Sequence, residues 1–116
     1  MPRVFIVDDD RTTSKLLQTL LELDGFQVVT VMRGSDVLSK ALQVPPDIFL
    51  IDYNLADTDG LTVIRALRGD QQFTRTPIVM TSGMDVEHEA VDAGATCFIV
   101  KPFDPDALSQ RLKAML

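Results

Sequence analysis

The stretch Asp47-Ile48-Phe49-Leu50-Ile51-Asp52-Tyr53-Asn54 decides the fold of this chain. Four consecutive apolar residues, preceded by Pro45-Pro46 and followed by polar ones, read as a short strand buried on both faces. Such a strand belongs at the centre of a parallel sheet, and this one ends in a carboxylate, Asp52. Open α/β sheets bind ligands beyond the carboxyl ends of their strands. The same event recurs along the chain. Val4-Phe5-Ile6-Val7 ends in Asp8-Asp9, Ile78-Val79-Met80 in Thr81-Ser82, and Phe98-Ile99-Val100 in Lys101. Four buried strands would thus deliver polar or ionisable groups to one edge of one sheet. That edge is the predicted active site.

Outward from this centre, strands alternate with helices. Asp10, Thr12 and Thr13 are N-cap candidates for a helix with Leu16, Leu17, Leu20, Leu21 and Leu23 on its apolar face. Asp24-Gly25 stops it, with glycine suited to the left-handed position past a helix end. Residues 26–30 are β-branched and half-alternating, which predicts an edge strand. Gly34-Ser35-Asp36 opens a second helix with Val37, Leu38, Ala41 and Leu42 on one face, and Pro45-Pro46 ends it. A loop runs from residue 52 to 59. Gly60 starts a third helix through Leu61, Val63, Ile64 and Leu67, with Gly69-Asp70 as its stop. A short helix over 86–93 stops at Gly94, a strand follows over 96–100, and the final helix carries Leu108, Leu112, Met115 and Leu116. Strict alternation predicts a five-stranded, doubly wound parallel sheet with helices on both faces.

The chain has 116 residues, 46% of them hydrophobic and 24% charged, enough for one domain and one core over residues 1–116. Its net charge of −6 disfavours direct nucleic-acid binding, which needs clustered Lys and Arg. The single cysteine, Cys97, cannot form an internal disulfide. Met1-Pro2-Arg3 followed by a strand and three aspartates does not resemble a signal peptide, and no apolar run approaches the roughly 20 residues needed to span a bilayer. The expected location is the cytoplasm, without a membrane partner.

If the first and third strands are neighbours, Asp8, Asp9 and Asp52 converge. Like charges about 4 Å apart repel by roughly 4 kcal/mol at an effective dielectric near 20, so the cluster calls for a cation. An oxygen-only ligand set with open positions suits Mg²⁺ (or Mn²⁺). A carboxylate nucleophile, a divalent cation, a lysine (Lys101) and a hydroxyl (Ser82) together make a phosphoryl-transfer site, the phosphoryl group being taken up as an acyl phosphate.

These residues, in this order, resemble a two-component response-regulator receiver domain along essentially the whole chain. The matching segments are Val7-Asp8-Asp9, Asp52, Pro77-Ile78-Val79-Met80-Thr81-Ser82-Gly83, and Ala93-Gly94-Ala95 through Phe98-Ile99-Val100-Lys101-Pro102-Phe103. The resemblance implies a flavodoxin-like fold with sheet order 2-1-3-4-5 and a cis peptide at Lys101-Pro102. It assigns Asp52 as phosphoacceptor and Asp8 and Asp9, with Asp52, as metal ligands. Asn54 would lend a backbone carbonyl to the metal, and Gly83 falls with it among the cofactor-binding positions. Ser82 becomes the switch hydroxyl, Lys101 the phosphate-binding lysine, and Phe98 the switch aromatic. The implied partner is a histidine kinase or histidine phosphotransfer protein, with the output unnamed. The chain would then be a signalling switch that catalyses only its own phosphorylation and dephosphorylation. A pseudo-receiver, acting as a phosphorylation-independent interaction module, is the alternative. A phosphohydrolase using an aspartyl phosphate would need a second aspartate two residues past Asp52, where this chain has Asn54.

Two positions depart from the family pattern. Ala56 replaces a usual proline in the loop after Asp52. Ser82 and Lys101 are separated by 19 positions, short by roughly one helical turn of about 3.6 residues. A shortened fourth helix is expected, and with it weaker or altered phosphorylation-dependent homodimerisation through the fourth strand-helix unit and the last helix. Other polar residues have plainer readings. Asp10, Asp57, Asp59 and Asp104 are expected to cap helices or turns. Asp57-Thr58-Asp59-Gly60 is not a calcium loop, because Leu55 and Ala66 would occupy its first and twelfth positions. His88 reads as a surface residue and Cys97 as a small core or edge side chain.

Overall fold

The computed structural model describes residues 1–116. The strands are β1 (Arg3–Val7), β2 (Gln27–Val31), β3 (Ile48–Asp52), β4 (Ile78–Ser82) and β5 (Cys97–Val100). They alternate with α1 (Arg11–Leu23), α2 (Val37–Gln43), α3 (Gly60–Arg68), α4 (Glu87–Ala93) and α5 (Pro105–Ala114). The strands form one parallel sheet in the order β2-β1-β3-β4-β5, as expected, with β2 at an edge.

Side chains on a strand alternate between faces, so the two sides of the sheet divide the core into two layers. Phe5, Val7, Phe49, Ile51, Ile78 and Met80 face α2, α3 and α4, which contribute Val37 and Ala41, Val63, Ile64 and Leu67, and Ala90 and Ala93. Val4, Ile6, Ile48, Leu50 and Val79 face α1 and α5, which contribute Leu17 and Leu21, and Leu108 and Leu112. All residues of β3 and β4 are buried, which explains why both read as continuous apolar runs rather than alternating ones.

The α1 face is narrower than its five leucines suggest. Leu17 and Leu21 are buried, Leu20 is half-buried, and Leu16 and Leu23 are exposed. At about 100° per residue, Leu17, Leu21 and Ser14 share one side of the helix, whereas Leu16 and Leu23 lie well over 90° around from it. Leu42 and Leu116, also assigned to apolar faces, are likewise exposed. Leu42 lies next to Ala41, which takes the sheet-facing place with Val37. Leu116 follows the last turn of α5. The second helix opens as a 3₁₀ turn over Gly34–Asp36 before α2 proper. A second 3₁₀ turn, Gln71–Phe73, has no counterpart in the sequence reading. It buries Phe73 edge-on against Phe49, centroids 5.5 Å apart, in a row continued by Phe5 at 5.6 Å from Phe49.

The short fourth helix is present, seven residues long, and ends on Gly94 at φ 116°. Arg68, at the end of α3, holds that corner. Its guanidinium donates to the carbonyls of Gly94 (2.9 Å), Phe73 (2.8 Å) and Thr76 (2.7 Å) without a carboxylate partner. Partial burial lowers its pKa, and the three carbonyl dipoles take the place of a counter-ion.

Candidate functional site

Strand parity assembles the site. The alternation that places Val4 and Ile6, Ile48 and Leu50, and Val79 in the α1/α5 layer brings Asp8, Asp52 and Thr81 to the carboxyl end of that layer. On β5 the same count runs from Cys97 and Ile99 to Lys101. Asp52 is the last residue of β3 and pairs in register with Thr81. Its position is fixed from several directions. Tyr53 N–H donates to the Thr81 carbonyl (2.8 Å), and Gly60 N–H to the Tyr53 carbonyl (2.7 Å). Gly60 is required at the start of α3, because a Cβ there would lie 2.5 Å from the Asp52 carbonyl oxygen and 2.7 Å from Met80 Cε.

Asp8, Asp9 and Asp52 each bring a carboxylate oxygen within 4.8 Å of the others. Asp8 and Asp52 are buried, and Asp9 is exposed. Lys101 is the cation among them, with Nζ 3.2 Å from Asp52 Oδ1 and 3.7 Å from Asp8 Oδ2. Three carboxylates against one ammonium leave an uncompensated negative charge. Burial pushes the Asp8 carboxyl above the usual range, partly offset by the Asp10 N–H that donates to it (2.9 Å) and by Lys101, while the charges of Asp52 and Asp9 add to the rise. The donor set is all oxygen and over-rich in charge, which fits a hard divalent cation such as Mg²⁺.

The hydroxyl bonded to Asp52 belongs to Thr81, whose Oγ1 donates to Asp52 Oδ1 at 3.4 Å. Ser82, the hydroxyl singled out from the sequence, follows the opposite parity, in line with Met80, and its Oγ accepts the Met84 N–H at 3.1 Å. Thr81 could have been found only with the β3–β4 register in hand, and a single sequence does not supply that register. Phe98 is buried in the α2/α3/α4 layer, Asn54 and Gly83 are exposed beyond β3 and β4, and the Lys101-Pro102 peptide is cis. A Cβ at Gly83 would meet no other residue within 4 Å.

The four aspartates expected to cap helices or turns are bonded to backbone N–H groups at helix or turn starts. Asp10, Asp59 and Asp104 accept the N–H groups of Thr12 and Thr13, of Thr62, and of Asp106. Asp57 reaches farther. Its carboxylate accepts from Gly34 N (2.8 Å) and Ser35 N (3.0 Å), tying the β3–α3 loop to the 3₁₀ turn that opens α2. These two backbone donors hold its pKa down at about 2. His88 is exposed, with Nε2 3.4 Å from Asp92. Cys97 is half-buried, and burial raises its thiol pKa.

A family model described as "Response regulator receiver domain" matches residues 4–113. The chain is similar to the DNA-binding dual master transcriptional regulator RpaA of Synechocystis, 33% identical over 100% of this chain and 49% of that protein. It is also similar to the phosphate regulon transcriptional regulatory protein PhoB of Rhizobium meliloti, 34% identical over 100% of this chain and 52% of that protein. It thus spans about half the length of these curated relatives. Among solved structures, the chemotaxis response regulator CheY4 of Vibrio cholerae superposes with a TM-score of 0.93 at 30% identity, covering 100% of this chain and 99% of that one.

Proposed function

The chain belongs to the response-regulator receiver family of two-component systems, and from that premise we propose that it is a phosphoacceptor switch that takes a phosphoryl group from a partner's phosphohistidine onto Asp52. One observation carries the reading. Asp52 stands at the end of the central strand with Lys101 Nζ at 3.2 Å and two further carboxylates within 4.8 Å.

In the transfer, a free carboxylate oxygen of Asp52 attacks phosphorus in line with the bond to the histidine nitrogen. The new O–P bond forms as the P–N bond breaks, and the electron pair returns to the imidazole. A Mg²⁺ (or Mn²⁺) ion held by Asp8, Asp9, Asp52 and the Asn54 carbonyl would supply neutralisation of the phosphoryl oxygens. Lys101 draws the phosphoryl oxygens toward its ammonium and orients the carboxylate before attack. The Gly83 backbone offers an unobstructed approach beside it. Ser82, donating its O–H to a phosphoryl oxygen, and Phe98, buried in the α2/α3/α4 layer, carry the change to the α4–β5–α5 side. Catalysis is confined to the domain's own phosphorylation and dephosphorylation. The complete set of Asp8, Asp9, Asp52 and Lys101 speaks against a phosphorylation-independent pseudo-receiver.

The acidic balance of this domain leaves DNA contact to other parts of the system, and we assign it the receiving role in a cytoplasmic pathway whose output is a separate region or partner. No helix is long and apolar enough to cross a membrane. Phosphotransfer from a radiolabelled phosphohistidine protein tests the reading. Label is expected to move to the chain in Mg²⁺ and to stay on the histidine in chelator. Equal transfer in both would reject the metal-assisted mechanism.

A further inference from the structure

The hydroxyl at Asp52 is that of Thr81, and the geometry points to Thr81 as a positioning residue that shortens the lifetime of the aspartyl phosphate. This rests on Asp52 being the phosphoacceptor. Thr81 is buried one residue before the end of β4, directly opposite Asp52 in register. Its backbone is committed to the sheet, the carbonyl accepting Tyr53 N–H at 2.8 Å. Its hydroxyl has one hydrogen-bond partner, Asp52 Oδ1, at 3.4 Å. Lys101 Nζ approaches the same oxygen at 3.2 Å. Both donors therefore converge on Oδ1 and leave Oδ2 as the oxygen free to carry the phosphoryl group.

That asymmetry has different consequences for the two half-reactions. In hydrolysis, water oxygen forms the new bond to phosphorus and the Oδ2–P bond breaks. Its electron pair returns to the carboxylate, and the water proton passes to solvent. The transition state is loose, so the departing carboxylate already bears most of its negative charge, shared between Oδ2 and Oδ1. A donor on Oδ1 is therefore stronger in the transition state than in the acyl phosphate, and it accelerates loss of the phosphoryl group. In formation, the carboxylate is charged both before attack and in the loose transition state, so the same donor changes the rate little. Ser82 does not substitute, because its side chain follows the other parity of the strand, in line with Met80 rather than with Asp52.

The test compares wild type with Thr81→Val, Thr81→Ser and Thr81→Ala. Acetyl phosphate and Mg²⁺ are used for labelling, and decay is followed after the donor is removed. Valine keeps the shape and β-branching but loses the hydroxyl; serine keeps the hydroxyl and loses the methyl. Thr81→Val and Thr81→Ala should slow decay by about two- to fivefold, or about 0.4–1 kcal/mol, in keeping with one neutral hydrogen bond. Labelling rates should stay within about twofold of wild type, and Thr81→Ser should decay like wild type. Decay of Thr81→Val at the wild-type rate would overturn the assignment while leaving Asp52 as acceptor. So would slowed decay in Thr81→Ser and Thr81→Ala but not in Thr81→Val, which is the pattern of a packing role. Wild-type protein that takes up no phosphoryl group at all would overturn the assignment and the reading beneath it together.

Discussion

Asp8 is the carboxylate whose charge costs the folded protein most clearly. It is buried, it accepts a backbone N–H from Asp10, and it shares Lys101 with Asp52 at the longer of two distances. Because its folded pKa is raised above the unfolded value near 3.9, its charged form opposes folding at neutral pH. That penalty is full above the folded pKa and is relieved as pH falls through it toward the unfolded value. Asp8→Asn keeps the acceptor for Asp10 N–H and removes the charge. It should therefore raise the metal-free melting temperature at pH 7 and shrink the gain on adding Mg²⁺. A cation that binds only the folded state stabilises it by about 1.4 kcal/mol at ten times Kd, roughly 4 °C per kcal/mol for a chain of this length. Thermal melts in chelator and in millimolar Mg²⁺ at fixed ionic strength read both signs. A mutant less stable than wild type in chelator would show that Asp8 holds the fold together rather than straining it.

Between elements, the β3–α3 loop is held where α3 begins at Gly60 and, within the loop, at Asp57, and the two fastenings give separate predictions. At Gly60 an added methyl group meets the Asp52 carbonyl at 2.5 Å, so Gly60→Ala should cost about 1–3 kcal/mol as an overpacked site, measured by denaturant unfolding. At Asp57 the carboxylate holds the Gly34 and Ser35 amides. With its pKa lowered to about 2, the stability it contributes is present above the unfolded value near 3.9 and is lost as pH falls toward the folded one. An NMR titration should place its midpoint at about 2, and Asp57→Asn should speed hydrogen exchange at Gly34 and Ser35. A midpoint near 3.9 with unchanged exchange would show the loop to be untethered. Capping was foreseeable for this residue from its type and its loop. Its partner was not, since the contact joins positions far apart in the chain and nothing local in the sequence brings them together. The same limit explains Phe73, whose 3₁₀ turn is too short to show a period but whose ring completes the row with Phe49 and Phe5.

At the scale of the molecule, the fold was legible because its central strands β1, β3 and β4 are buried on both faces and its helices carry clear stops, so strict alternation of strand and helix dictates a parallel sheet. The carboxylate cluster and its lysine were legible for the same reason, since each ends a strand. Which hydroxyl faces Asp52 was not, because Thr81 and Ser82 are adjacent and only strand register separates them. The shortened connection between Ser82 and Lys101 was legible as a count and appears as a seven-residue α4 closed by Gly94 and braced by Arg68. With less helix to bury between copies, sedimentation of the protein carrying a stable phosphoryl analogue should show weak or altered association. A tight dimer abolished by substitutions on α4 and α5 would contradict that expectation. The central claim, that Asp52 receives the phosphoryl group, is tested most directly by intact-mass spectrometry after incubation with acetyl phosphate and Mg²⁺. Wild type should gain one phosphoryl group and Asp52→Asn none; undiminished labelling of Asp52→Asn would contradict the account.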